Sequence, residues 1–121
     1  LPVAQLGYRP DVAVLDEDGV AALLDELIAA HKLRVGQRRR LREKLKAVVP
    51  GSGGDLARLA ALLAEAKRAR NAMEFDDLID HASALLVTAD VRRPRWILID
   101  ELQDCEPREL ALVGAVAAQL W

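Results

Sequence analysis

The residues best placed to do chemistry lie near the C-terminal end. Trp96-Ile97-Leu98-Ile99 is a continuous apolar run that ends in Asp100-Glu101. Its β-branched residues and the preceding Pro94 predict a short buried strand over 96–100. A buried parallel strand delivers its last side chains to the edge of the sheet where α/β folds bind ligands. Two adjacent carboxylates there serve different ends. Asp100 would hold a magnesium ion through water, and Glu101, on the other side of the backbone, would orient or deprotonate an attacking water. An apolar run ending in two acids is a weak signal alone, because many strands end in surface acids. The next residues sharpen it: Leu102, Gln103 and Asp104, then Pro107 at the first position of a helix running to about Gln119.

The elements that must position this string are mostly helical. Val20, Leu23, Leu24, Leu27 and Ile28 recur at three and four residues, an apolar stripe for a helix starting near Gly19, with Asp16 or Asp18 as its cap. A second helix is predicted over 37–48, with Leu41, Leu45 and Val48 on one side. Pro50-Gly51-Ser52-Gly53-Gly54 breaks the pattern. Asp55 is the expected cap of a third helix over 56–71, with Leu56, Leu59, Leu62, Leu63 and Ala66 inward and Asn71 at its end. A fourth helix over 74–87 turns Phe75, Leu78, Ile79, Ala82, Leu85 and Leu86 inward. Arg92, Arg93 and Pro94 read as a turn, and residues 1–17, with Pro2, Gly7 and Pro10, as an extended lead-in. The expected fold class is mainly α: about five helices and one short strand, 96–100.

Ile97-Leu98-Ile99-Asp100-Glu101-Leu102-Gln103-Asp104 has the shape of a Walker B strand and resembles the DExQD form of motif II in UvrD/Rep-type superfamily-one DNA helicases. Upstream, Asn71-Ala72-Met73-Glu74-Phe75-Asp76-Asp77-Leu78-Ile79 is similar to that family's N-A-hydrophobic-D-F-D-D-L segment, in the right order and at the right separation. The stretch Val12–Leu27 also resembles the part of the family's sequence just after its early motifs. The resemblance implies an ATP-driven motor that moves on single-stranded DNA and unwinds duplexes, usually 3′ to 5′, in repair or replication. It implies Asp100 as the magnesium ligand, Glu101 as the catalytic base, and Gln103 and Asp104 as nucleotide-proximal or coupling residues. It also implies two parts: 1–90 as the helical insertion that lies against DNA, and 91–121 as the motif II strand (96–100) and following helix of the ATPase core, a P-loop α/β motor domain of a larger parent. Asp76 and Asp77 read as structural, since acids at a helix start are favoured by the dipole. Cys105 stands where the family often has Thr or Ser, Glu109 where it often has Gln, and Glu74 replaces Asp. These departures bear on coupling, not on the metal or base chemistry.

The resemblance therefore implies Mg2+ and ATP as cofactors of the parent. The 121 residues contain no Gly-x-x-x-x-Gly-Lys-Ser/Thr loop to cradle phosphates. The chain alone is expected to bind neither cofactor tightly and to turn over negligible ATP, since most nucleotide affinity comes from that loop.

Composition bounds the remaining classes. The length suits one small domain, and 52% hydrophobic residues with 30% charged suit a packed chain, not a disordered one. With 3% aromatics, the core must be built from Ala, Leu and Val. Cys105, alone, forms no internal disulfide and fits a cytoplasmic setting. The run Leu110–Ala118 is too short to span a membrane, and no leader sequence is visible.

The net charge of −2 excludes a wholly basic nucleic-acid binder, but the charge is segregated. Residues 32–46 set eight bases against Glu43, a local charge of +7. Arg34, Arg38, Arg39, Arg42 and Lys46 are the candidate DNA contacts. No aromatic lies among them, so phosphate contact is expected, not base stacking. A solvated helix face is the plain alternative reading.

Two other classes compete. One is a non-catalytic helical module that binds DNA or a protein. The other is a nuclease using Asp76, Asp77, Asp100, Glu101 and Asp104, which requires those acids to cluster. His31 reads as a dipole partner at a helix C-terminus and His81 as a partly buried polar residue. An unpaired apolar strand is an association hazard. The strand 96–100 is therefore expected either to pair with another copy of the chain or to stay irregular.

Overall fold

The computed structural model describes residues 2–88 and 95–117. The chain is mainly helical, with five α-helices among those residues. A 3-10 turn, Pro2–Leu6, precedes β1 (Ala13–Leu15) and α1 (Glu17–His31). A second 3-10 turn, Arg38–Arg40, leads into α2 (Leu41–Lys46). Then come α3 (Asp55–Ala69), β2 (Ala72–Glu74), α4 (Phe75–Thr88), a third 3-10 turn at Leu102–Asp104, and α5 (Pro107–Ala117). The chain forms two compact units, residues 13–72 and residues 1–12 with 73–121.

The first of these units holds the core. Val20, Leu23, Leu24 and Ile28 of α1, Leu41 and Leu45 of α2, and Leu59 and Leu63 of α3 are buried together with Leu33. These are the stripes that the three- and four-residue spacing predicts. Leu23 and Leu59 are sealed from solvent, so each contributes close to the full ~2 to 3 kcal/mol of a buried leucine.

The boundaries follow from capping. The Asp16 carboxylate accepts the Gly19 N–H at 2.7 Å and starts α1 two residues before Gly19. At the other end Lys32 takes a left-handed conformation (φ 51°, ψ 47°). The Leu33 N–H then reaches the Ile28 carbonyl (3.1 Å) and the Lys32 N–H reaches Ala29 (3.4 Å). These paired bonds close the helix, and buried Leu33 seals it. The helix predicted over 37–48 is shorter than expected: its start is the 3-10 turn Arg38–Arg40, and only 41–46 is α-helical. Asp55 is not the cap of α3. Gly54, at φ 98°, stands there, and the Asp55 carboxylate instead accepts the Arg34 N–H at 2.7 Å. Asn71, left-handed at φ 51°, ends α3 as expected.

Further differences concern strands. Residues 96–100 form no strand; the described strands are β1 and β2, paired in parallel. Each has three residues, too few to leave an alternating pattern in the sequence. A strand needs a neighbour for its backbone groups, and 96–100 has none among the described residues. Trp96 and Leu98 are 82% and 96% exposed. In α4, Phe75 and Leu78 are exposed instead of inward, while Ile79, Ala82, Leu85 and Leu86 are half-buried. The lead-in is partly a 3-10 turn, not wholly extended. The turn at 92–94 and the end of the last helix near Gln119 lie outside the described residues.

Lys32 bears the cost of a left-handed L-residue, about 1 kcal/mol, against the roughly 0.5 kcal/mol that glycine's unfolded-state freedom takes away. Lys32→Gly is expected to raise stability by roughly 0.5 kcal/mol in urea denaturation. A loss of stability would contradict the assigned helix end.

Candidate functional site

Residues 71–79 have clear local jobs. Asn71 tolerates the left-handed turn because its short amide side chain can bond locally. It is buried, and its carbonyl accepts the Ala13 N–H at 3.0 Å. Ala72 and Met73 are buried in β2. The Asp77 carboxylate then accepts the Glu74 N–H at 2.9 Å. That bond is the returning half of a capping box, from the third helical residue to the cap position. Asp76, next in sequence, faces elsewhere: its carboxylate lies 3.2 Å from the Arg108 guanidinium.

The Asp100–Asp104 string is a surface turn. Asp100, Glu101, Gln103 and Asp104 are all exposed. Glu101 is left-handed at φ 52°, ψ 47° and caps the 3-10 turn Leu102–Asp104. The Asp104 N–H donates to the Glu101 carbonyl at 2.9 Å, and the Cys105 N–H to Leu102 at 3.2 Å. The Gln103 amide donates to the Glu101 carboxylate. The candidate base and the candidate coupling residue are thus joined directly. A left-handed glutamate is a strained backbone position, and strain of this kind gathers at functional turns.

The next residues start α5 by the same device as α4. The Glu106 N–H donates to the Glu109 carboxylate at 2.8 Å. Glu109 occupies a position where Glu and Gln serve the same capping role, so either residue would close this helix start. Arg108, in the first turn of α5, places its guanidinium 3.2 Å from Asp76 and 3.3 Å from Asp80, one helical turn apart on α4. Sequence reasoning overlooked Arg108. Its signal was a base in the first turn of a helix, where the dipole disfavours positive charge unless an acid answers it.

The chemistry of Asp100 and Glu101 fits magnesium, which prefers hard oxygen ligands. Among the described residues no three acids, histidines or cysteines gather as a metal site. The clustering that a two-metal nuclease needs is not found among those residues. Asp77 is engaged in capping and Asp76 in its ion pair.

The basic run sits on the surface of the unit 13–72. Arg34, Arg38, Arg39 and Lys46 are exposed, and Arg42 is half-buried. Arg38 lies 3.3 Å from the Asp25 carboxylate of α1, which offsets part of its charge. One guanidinium nitrogen of Arg70 donates to both carboxylate oxygens of Glu26, at 2.9 and 2.8 Å, on the same unit. His31 is the last residue of α1 and is exposed. His81 is half-buried, its ring 5.7 Å from that of buried Tyr8. No helix among the described residues is long and apolar enough to cross a membrane.

Comparisons with protein-family models, with curated proteins and with solved structures gave no match.

The Glu106–Glu109 bond is a testable part of this turn. Glu109→Ala is expected to speed amide exchange of Glu106 about fivefold, in line with the ~1 kcal/mol of a lost cap. Glu109→Gln is expected to stay within about twofold. Equal effects from both would show that the carboxylate does not close the helix.

Proposed function

We propose that this chain is part of an ATP-dependent DNA helicase or translocase of the UvrD/Rep type, working in the cytoplasm with Mg2+ and ATP. One observation carries the reading: Ile97–Asp104 and Asn71–Ile79, two specific motif-like segments, occur in one chain in the family's order and spacing. In this reading Asp100 ligates the metal through water, Glu101 is the base toward the attacking water, and Gln103, bonded to Glu101, relays nucleotide state. Asp104 fixes the turn from its backbone N–H. The segment 13–72 presents Arg34, Arg38, Arg39, Arg42 and Lys46 to DNA phosphates. The ATPase sheet of the larger protein supplies the neighbours that 96–100 lacks, and the phosphate loop supplies nucleotide affinity.

A second reading is a helical module that binds DNA or a protein without catalysis. It is favoured by the exposure of the basic run on the one unit with a closed leucine core.

Fluorescence anisotropy with a labelled single-stranded oligonucleotide separates the parts of this proposal. The chain is expected to bind weakly, with affinity falling as salt rises. Replacing Arg39, Arg42 and Lys46 with Gln should flatten the logarithmic salt slope by about 0.7 for each phosphate no longer neutralised. An unchanged slope would remove the DNA-facing role. In the protein that carries the phosphate loop, Glu101→Gln is expected to lower ATP turnover by at least about a hundredfold while nucleotide binding persists. Full turnover in that variant would leave only the binding-module reading.

A further inference from the structure

We infer that Arg108 is a positioning residue for the Glu101–Gln103 pair, an inference whose functional meaning rests on the helicase reading. Its guanidinium bridges Asp76 and Asp80 at 3.2 and 3.3 Å, tying the first turn of α5 to one face of α4. From Arg108 back to Glu101 the backbone is a chain of short-range bonds. The Glu109 carboxylate holds the Glu106 N–H, the Leu102 carbonyl holds the Cys105 N–H, and the Glu101 carbonyl holds the Asp104 N–H. No regular strand holds the other side of the turn, since 96–100 is unpaired among the described residues. The Arg108 ion pairs therefore add a polar tie to the packing of α5 against α4, and together these set where the turn sits.

The same ion pairs give the two adjacent acids of the upstream segment separate jobs. Asp77 turns back to cap α4, and Asp76 turns outward to hold Arg108. The upstream segment and the Asp100–Asp104 string thus form one device, joined by a residue that belongs to neither. Both contacts come from one terminal nitrogen, Nη1, so the pairing rests on charge and reach and not on a two-nitrogen fork. The Arg108 side chain is 29% exposed and that of Asp76 34%, so screening at these pairs is incomplete.

The test uses the 121-residue chain and nuclear magnetic resonance. In Arg108→Gln, amide exchange of Asp104 and Cys105 is expected to quicken about fivefold, the scale of two partly exposed ion pairs. Exchange in α1 and α3 should stay unchanged. The Gln103 side-chain amide should move toward its free-peptide shift, a signature that loss of helix stability alone would not give. Arg108→Lys should restore part of both effects. Asp80→Asn, which removes one of the two pairs, should reproduce both at smaller size and serves if Arg108→Gln fails to fold. Unchanged Gln103 resonances in Arg108→Gln would overturn the inference, as would equal loosening across the whole chain. None of these readouts needs ATP, metal or DNA, so a failed helicase reading and a failed positioning role give different results.

Discussion

The contact between α4 and α5, which includes the ion pairs of Arg108 with Asp76 and Asp80, is the constraint that places the candidate turn. The unit that contains the site has few buried apolar residues among those described, chiefly Tyr8 and Met73. Phe75, Leu78, Trp96, Leu98, Ile99, Leu102 and Leu110 stay exposed. With so little full burial, polar links add to the packing of α4 on α5 in ordering the residues near Glu101: a capping bond at each helix start, the 3-10 hydrogen bonds of Leu102–Asp104, and the Arg108 ion pairs. Such links are directional and individually weak. They fix a geometry more than they stabilise a fold.

The unit 13–72 rests on the opposite principle. Leucines from α1, α2 and α3 converge on Leu23 and Leu59, and apolar burial supplies its stability. A closed core lets the outward face carry a concentrated positive charge without losing the fold. Arg38–Arg40 form a 3-10 turn on that face, immediately before Leu41 enters the core. Burial of Leu41 and Leu45 thus places the basic side chains outward. The pair between Arg38 and Asp25 both steadies this turn and tempers its charge.

Much of this architecture was legible in the residues because helical periodicity is a local signal. The stripes at 20–28, 41–45 and 56–66 are recovered as core, and Asp16 caps α1 as its type and place predict. The features that were not legible depend on partners distant in sequence. The strand expected over 96–100 needs neighbours for its backbone groups, and apolar content alone cannot supply them. The three-residue strands β1 and β2 exist because Asn71 turns left-handed and offers its carbonyl to Ala13, a bond between residues 58 positions apart. Asp55 has the type of a cap but is drawn to the Arg34 N–H, so Gly54 takes that place. Asp100, Glu101, Gln103 and Asp104 were identifiable as a set from type and order. Their anchoring through Arg108 was not, because Arg108 and Asp80 are 28 residues apart.

The central claim is that Asp100 and Glu101 work as the metal and water half of an ATPase whose phosphate-binding half lies in the same polypeptide. The most direct test is to sequence the coding DNA on both sides of this segment. The expected result is one continuous reading frame, with Gly-x-x-x-x-Gly-Lys-Ser/Thr upstream of Leu1 and further motor motifs downstream of Trp121. A continuous frame without any phosphate-binding loop, or a start and a stop at the segment's own ends, would contradict the claim.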